Sequence, residues 1–365
     1  MSRPVTVAPR IALAAQAGSG LIIALWVIAL LSLLISAFAF DMNIEARVVS
    51  YCRKRLKAEY LARAGVERAK ALLLKSTQVT EDKQKSEDKD KPWYDDAVRL
   101  RHGKGVRITD ALGAGQVTVD IAPEPARRNI NALKDEDWER IFKIGGVPEE
   151  LWSGLIDSFN DWRDMDDQPR LDGAETEDYY ARLNPPYKAR GHSGQTTDKY
   201  ADLDTVDELL LIKGFTHEIL YGGRLDPTDK DSPVLNGIAD LLTATPNAGV
   251  NVNAAPKRVL MTLPGINDTL ADDIITEREG LTPGATIGED HYFKDSADFL
   301  SRFPELNQIS VEDRNYLTDL LKQMQSQAFR MTVVGAVQGV ERRIACVVQF
   351  NQGSFTVLRW TEQER

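Results

Sequence analysis

One long uncharged segment, Ser19–Phe40, limits the folds that are open to this chain of 365 residues. Its side chains are almost all apolar and include no Asp, Glu, Lys or Arg. A helix of about 20 apolar residues is long enough to cross the ~30 Å hydrocarbon layer of a bilayer. The segment therefore predicts a transmembrane helix. Since no Pro follows before Lys75, the same helix is expected to run from about Gly20 to Lys75.

The residues before the span exclude an ordinary secretory signal. Such a signal has an apolar region of ~7–15 residues followed by a cleavage site of small residues, and no such site follows this longer run. Residues 1–18 carry two Arg and no acid, and they end in Ala17–Gly18. Two interpretations stay open: a plain membrane anchor, or a leader cut just before the span, after Gly18 or alternatively after Gly20. Basic residues just beyond the span leave the orientation undecided by charge alone.

The water-exposed half of the long helix is predicted to be amphipathic and to lay an apolar side on a sheet. The residues expected on that side are Ile44, Val48, Cys52, Leu56, Leu61, Ala64, Ala69 and Leu72. The chain has only two Cys, Cys52 and Cys346, and no Cys/His cluster, which argues against a structural zinc site. Whether these two Cys form a disulfide is left open by the sequence.

Alternating β-type segments occur near both ends of the rest of the chain. They are Val106–Ile108, Gln116–Ile121, Phe329–Val334, Arg342–Asn351 and Ser354–Trp360. The sequence between them is predominantly helical in pattern over residues 131–326. We therefore expect one sheet, covered by the long helix and interrupted by a large helical insertion.

The acidic stretch Asp157–Asp178 is the best candidate for a chemical site. Calcium prefers six to eight oxygen ligands, and carboxylates supply them. The candidate ligands are Asp161, Asp164, Asp166, Asp167, Glu175, Glu177 and Asp178. The spacing is not that of an EF-hand, and a solvated acidic loop is the alternative interpretation. A catalytic acid pair is disfavoured, because no nucleophile or His accompanies these acids.

Residues 251–279 predict a helix-hairpin-helix unit, with its break at Pro264–Gly265. Two weaker copies are predicted at 206–221 and 293–321. In other proteins such hairpins hold nucleic-acid phosphates, but this hairpin is followed by three Asp, and the chain has a formal net charge of −10. Both features disfavour a nucleic-acid partner and favour a structural or protein-binding use.

These segments together resemble a known family. ALWVIALLSLLISAFAFD, followed by EARVVSYCRKRLKAEYLARAGVERAKALL, is similar to the N-terminal helix of the type II secretion minor pseudopilin K family (general secretion pathway protein K). RRNINAL and the pattern DWxDxDDxPRxxGAExxxYY extend the resemblance into the middle of the chain. It implies an α+β pseudopilin fold, a long N-terminal helix on an antiparallel sheet, with a large inserted α-helical domain containing helix-hairpin-helix-like units.

The resemblance also implies a division of the chain. Residues 1–18 would be a prepilin leader, and 19–40 the transmembrane part of the helix. Residues 41–130 and 327–365 would form the pseudopilin domain, and 131–326 the insertion.

Processing and metal binding follow from the same resemblance. Prepilin peptidase would cut between Gly18 and Ser19, and methylation would follow. Ile23 would stand where most pilins carry a Glu, a substitution typical of the K-type member. The acidic stretch would bind calcium.

The function implied is that of a non-catalytic tip subunit. It would start pseudopilus assembly and help export folded proteins across the outer membrane. Its partners would be minor pseudopilins I and J, the major pseudopilin, the secretin and the secreted proteins. It would be anchored by one pass in the inner membrane, with its globular part in the periplasm. The alternative hypothesis is a membrane-anchored DNA receptor that uses the helix-hairpin-helix units.

Overall fold

The computed structural model describes residues 19–79, 90–193, 200–245, 249–282, 291–323, 327–351 and 353–364. Its nine α-helices within these ranges are α1 Ser19–Ser76, α2 Tyr94–Arg101, α3 Asp135–Gly145, α4 Trp152–Arg163, α5 His217–Tyr221, α6 Lys257–Leu260, α7 Asp268–Arg278, α8 Ser296–Arg302 and α9 Val311–Leu320. Short 3-10 turns connect several of them. The strands are β1 Val106–Leu112, β2 Gly115–Pro123, β3 Arg128–Asn129, β4 Gly223–Arg224, β5 Val234–Leu235, β6 Leu242–Thr243, β7 Ala328–Val337, β8 Val340–Asn351 and β9 Ser354–Glu364.

Helix α1 has 58 residues and is about 87 Å long at ~1.5 Å per residue. Its most apolar part lies near the N-terminus, and none of that part is buried against the rest of the chain. By length and composition this helix is able to cross a membrane. The prediction of one continuous helix from about Gly20 to Lys75 is confirmed.

The predicted sheet is confirmed. Its strands lie in the order β1-β2-β7-β8-β9, and every neighbouring pair is antiparallel. The two strands before the insertion therefore pair with the three after it, through β2 and β7. The sheet is therefore completed only after the chain has passed through the whole insertion.

The C-terminal half of α1 lies on one face of this sheet. The helix buries Ala58, Ala62, Val66, Ala69 and Leu73, which recur at three- and four-residue spacing. Small residues let the two backbones approach closely. A Cβ added at Gly335 of β7 would stand only 2.2 Å from the Ala58 carbonyl oxygen. The contact therefore requires small residues on both elements.

The predicted contact side of α1 is wrong in part. Ile44, Val48, Cys52 and Leu56 are exposed, and so is Ala64. At ~3.6 residues per turn, Ile44 and Val48 lie on the same side of α1 as the buried Ala62 and Val66, but beyond the part of the helix that the sheet covers. The cysteines are not bonded to each other: Cys52 is exposed on α1, whereas Cys346 is buried in the sheet.

The insertion packs around its own core, built on the aromatic side chains of Trp138, Phe142, Phe159 and Phe215. It is not purely helical as predicted. Two pairs of very short strands, β3 with β6 and β4 with β5, lie between its helices. Pairings this short leave no periodic pattern, so the sequence did not reveal them. The residue bounds of the predicted domains stay a prediction.

A buried ion pair fixes the point where the chain leaves the sheet. Arg128 Nη2 lies 2.7 Å from Asp137 Oδ1, and the two side chains are 2% and 0% exposed. Arg128 also donates hydrogen bonds to the Thr262 carbonyl oxygen at 3.0 Å and to the Tyr316 hydroxyl at 3.2 Å. Tyr316 in turn donates to Asp137. One guanidinium thus joins β3 to α3, to the turn after α6 and to α9.

We expect Arg128→Ala to lower the free energy of unfolding by about 3–5 kcal/mol, because it leaves the Asp137 carboxylate buried without its counter-ion. Urea unfolding of the full chain in detergent measures the change. The matched control is Arg107→Ala at an exposed arginine of β1, expected to change stability by less than about 0.5 kcal/mol. Equal losses in the two variants would contradict the assignment.

Candidate metal centre

The acidic stretch begins on the last turns of α4 and continues as a loop that folds back on the helix. Asp161 is buried on α4, Asp164 follows the helix end, and Glu175 is buried on the returning loop. One carboxylate oxygen from each of the three lies within 4.8 Å of the other two. The structure therefore brings together three of the seven predicted ligands, two from the end of α4 and one from the returning loop.

The other four predicted ligands lie at the surface. Asp166, Asp167, Glu177 and Asp178 are exposed. Asp166 accepts a hydrogen bond from the Gln168 N–H at 3.0 Å, and Asp178 accepts one from the Glu175 N–H at 2.8 Å. These bonds shape the loop around the three clustered carboxylates. Ligation by these four acids stays a prediction.

Backbone contacts hold the loop against α4. Asp161 Oδ2 accepts a hydrogen bond from the Arg170 N–H at 3.0 Å. A Cβ at Gly173 would lie 1.9 Å from the same oxygen, so only a glycine fits there. Lys213 Nζ donates to the Gly173 carbonyl oxygen at 2.8 Å. The sequence placed Lys213 in the weaker helix-hairpin-helix copy at 206–221, and nothing in its pattern indicated a contact with the acidic loop.

Glycine also permits a second close approach at the site. A Cβ at Gly191 would lie 1.4 Å from the Asp164 carbonyl oxygen. Tyr200 forms an isolated antiparallel bridge with Asp164. The position of Asp164 is therefore fixed by a chain segment that follows the acidic loop.

The electrostatic environment of the three carboxylates favours a bound cation. Burial, and then the charges of Asp164 and Asp161, raise the pKa of Glu175 to about 8. Burial also raises the pKa of Asp161, although the Arg170 and Ala174 N–H groups oppose that shift. Three carboxylates in this space repel one another and are poorly hydrated, so a bound cation would lower their free energy.

The geometry fits calcium. Asp161 Oδ1 is buried and accepts no hydrogen bond within the described part of the chain. Calcium binds oxygen at about 2.3–2.6 Å, so opposite ligands lie about 4.6–5.2 Å apart. The three oxygens, all within 4.8 Å of one another, are therefore close enough together to share one such ion. Asp161, Asp164 and Glu175 would hold the ion, which would pin the loop to the end of α4.

The helix-hairpin-helix units have a different environment. In the unit at residues 251–279, Gly265 turns the chain with φ of +77° before α7, and the Asn267 side chain caps α7 by accepting from the Leu270 N–H at 2.9 Å. The nearby Lys257 Nζ lies 2.9 Å from Asp268 and 2.7 Å from Asp272. Two carboxylates thus neutralise the lysine beside this hairpin. This pairing is a further argument against a nucleic-acid partner.

At the N-terminal end, the predicted cleavage position Gly18 lies outside the described residues, and Ser19 is the first residue of α1. Ile23, the predicted replacement for the pilin Glu, is exposed on the apolar part of α1. Both assignments stay predictions.

The middle of the chain matches a known family. Residues 122–226 match the family model described as type II secretion system (T2SS), protein K. The matched segment runs from the end of β2 through the three clustered carboxylates. No curated protein matches the sequence.

The fold is similar to a chain in the crystal structure of the GspK-GspI-GspJ complex from the type 2 secretion system of enterotoxigenic Escherichia coli. The TM-score is 0.57 at 15% sequence identity, over 88% of this chain and 100% of the other. This likeness confirms the predicted fold class, a long N-terminal helix on an antiparallel sheet. The match to the protein K family is thus confined to residues 122–226, while the likeness of fold extends over 88% of the chain.

The raised pKa of Glu175 gives the metal-free protein a characteristic pH dependence. Folded Glu175 keeps its proton up to a pKa of about 8, whereas an unfolded Glu loses it at about pH 4.3. The resulting stabilisation is complete below about pH 4 and is lost as the pH rises through about 8. With chelator present, we expect the melting temperature to fall more steeply over this range in the wild type than in Glu175→Gln.

The exposed Glu177 supplies the matched control for this comparison. Glu177→Gln removes the same charge without touching the cluster, so its pH profile should follow the wild type. Parallel profiles for all three proteins would show that Glu175 titrates normally.

Proposed function

We propose that this chain is the minor pseudopilin K of a type II secretion system and acts at the tip of its pseudopilus. In this role it starts pseudopilus assembly and helps export folded proteins across the outer membrane through the secretin. The observation that carries the proposal is the family match at residues 122–226 within a pseudopilin-type fold. The role is structural, not catalytic.

The position of the insertion supports a place at the tip. Helix α1 covers one face of the sheet, while groups of the insertion, such as Asp207, meet side chains on the opposite face. A body of this size beside the sheet would hinder regular packing along a filament. At the end of a filament, the insertion would have free space on one side.

The apolar half of α1 supports anchoring in the inner membrane by residues 19–40, with the globular part in the periplasm. Prepilin peptidase would remove residues 1–18 before assembly. The apolar side chain of Ile23 fits a tip subunit. A Glu there would neutralise the amino terminus of a preceding subunit, and a tip subunit has none.

The exposed apolar residues of α1 offer a surface to neighbouring subunits. Ile44, Val48 and Leu56 lie beyond the part of α1 that the sheet covers. Burying them would contribute about 25 cal/mol per Å² of apolar surface. Minor pseudopilins I and J, which the similar complex contains, are the proposed partners there, and the major pseudopilin would follow.

Co-purification tests this arrangement. We expect the full chain in detergent to co-purify with pseudopilins I and J of its own system, and Leu56→Glu to reduce the yield of the complex at least about tenfold by placing a charge in the contact. The control is Leu171→Glu at a side chain that is 95% exposed on the acidic loop. A wild-type chain that never captures I or J would refute the proposal.

We further propose that calcium occupies the cluster of Asp161, Asp164 and Glu175 and serves to order the acidic loop. A ligand that binds only the folded state stabilises it by about 2.7 kcal/mol at about 100 times its dissociation constant. We expect calcium to raise the melting temperature of the full chain and chelator to reverse the rise.

Charge-neutral variants identify the ligands. Asp161→Asn and Glu175→Gln should each abolish most of the calcium-induced shift, because each removes a buried anionic oxygen from the cluster. Glu177→Gln, the matched control, should keep it. A melting temperature that responds to neither calcium nor chelator would exclude the metal site.

A further inference from the structure

A cleft of about 260 Å³ lies between the sheet and the insertion, on the sheet face away from α1. The sheet side is formed by Arg330 of β7, Ala345 and Val347 of β8, and Arg359 and Thr361 of β9. In the sheet register Val347 pairs with both arginines, so the two guanidinium groups flank it on one face. The insertion contributes Asp207, Tyr221 and Leu242.

Arginine dominates the charge of this cleft. Arg127, from the segment that joins β2 to the insertion, lines it together with Arg330 and Arg359. Three arginines from three different segments thus line one cleft, in a chain whose formal net charge is −10.

The acids near the cleft are already engaged. Both Glu124 oxygens accept from Arg330, at 2.9 Å from Nε and 2.7 Å from Nη2. Asp207 lies 3.9 Å from Arg359 Nη2 and accepts a hydrogen bond from the Tyr221 hydroxyl. The charge of Asp240 acts to raise the pKa of Arg127, but Asp240 is paired with Arg258. Of the three arginines that line the cleft, Arg330 is thus paired with Glu124 and Arg359 lies beside Asp207.

Arg127 differs from Arg330 and Arg359 in its surroundings. Within the described part of the chain, no group accepts a hydrogen bond from it, although it is partly buried. Burial, and then the charge of Arg330, lower its pKa from the ordinary arginine value. A partly buried guanidinium beside a second one carries an electrostatic cost that a bound anion would remove.

We propose that this cleft binds a small tetrahedral oxyanion of the phosphate type, held by Arg127 with support from Arg330 and Arg359. Guanidinium groups present paired N–H donors that match phosphate oxygens, and the Thr361 hydroxyl adds a further donor on the cleft wall. The cleft volume of about 260 Å³ is large enough for a free phosphate ion. The anion would join the linker, the sheet and the insertion, and would therefore fix the insertion on the sheet.

Titration of inorganic phosphate into the full chain in detergent tests the proposal. Chelator is present to remove calcium, and chloride keeps the ionic strength constant. We expect saturable binding by calorimetry and a rise in melting temperature that follows the same curve. Sulfate should substitute for phosphate, whereas succinate, a longer dianion with planar carboxylates, should bind more weakly.

The decisive variant is Arg127→Gln, expected to weaken phosphate binding at least about tenfold, since a hydrogen bond to a charged group contributes about 1.5–3 kcal/mol. Without phosphate its melting temperature should equal or exceed that of the wild type, because the variant removes a poorly compensated charge. Arg107→Gln, at an exposed arginine of β1, is the matched control and should bind as the wild type does.

Arg359→Gln is the second variant, and it tests the proposal if Arg127→Gln fails to fold. It too should weaken phosphate binding while leaving the helix–sheet contact intact. The proposal is wrong if wild-type binding does not saturate, or if a folded variant at either position binds phosphate as tightly as Arg107→Gln.

Discussion

The architecture depends on the buried contact between Arg128 and Asp137. A chain that interrupts a sheet with a whole inserted domain must leave and re-enter it at fixed points, or β7 would lose its register against β2. Arg128 lies shortly after the end of β2, and its guanidinium reaches three other parts of the insertion. Such a pair brings little net stability over apolar packing, but it is costly to break. The pair therefore disfavours any arrangement of the insertion that would separate Arg128 from Asp137.

The same segment then carries other long-range contacts. Glu124, just before Arg128 in the chain, is held by Arg330 of β7 and accepts a hydrogen bond from Thr243 of β6. Burial acts to raise the pKa of Glu124, but the hydrogen bonds and charge of Arg330 outweigh it and hold that pKa below its usual range. The carboxylate thus stays ionised while buried. Charged contacts, more than a shared apolar core, therefore set how the insertion meets the sheet.

Much of this fold follows from the sequence, and the limits are physical. The long helix, the five main strands and the interruption all leave periodic patterns, and each was predicted. The buried side of α1 was only partly predicted, since spacing along a helix does not reveal where the sheet beneath it ends. Ile44 and Ala58 look equally suited to contact, yet only Ala58 meets β7. In the candidate site, composition located the acidic stretch, but not which carboxylates converge, because that depends on the loop folding back over α4. Asp161 and Glu175 are buried together, whereas Asp166 and Asp167 lie between them in sequence and face solvent.

The two proposed ion sites carry opposite charges, and one lies within the insertion while the other lies between the insertion and the sheet. The carboxylate cluster concentrates negative charge at the end of α4, while the cleft concentrates positive charge where the insertion meets the sheet. Neither group can be neutralised by the other, because each is built into a separate contact. An ion at the first would order a loop within the insertion, and an ion at the second would order the insertion against the sheet. Both kinds of order would suit the proposed place at a tip, since a body at the end of a filament would have no neighbour on that side to hold it.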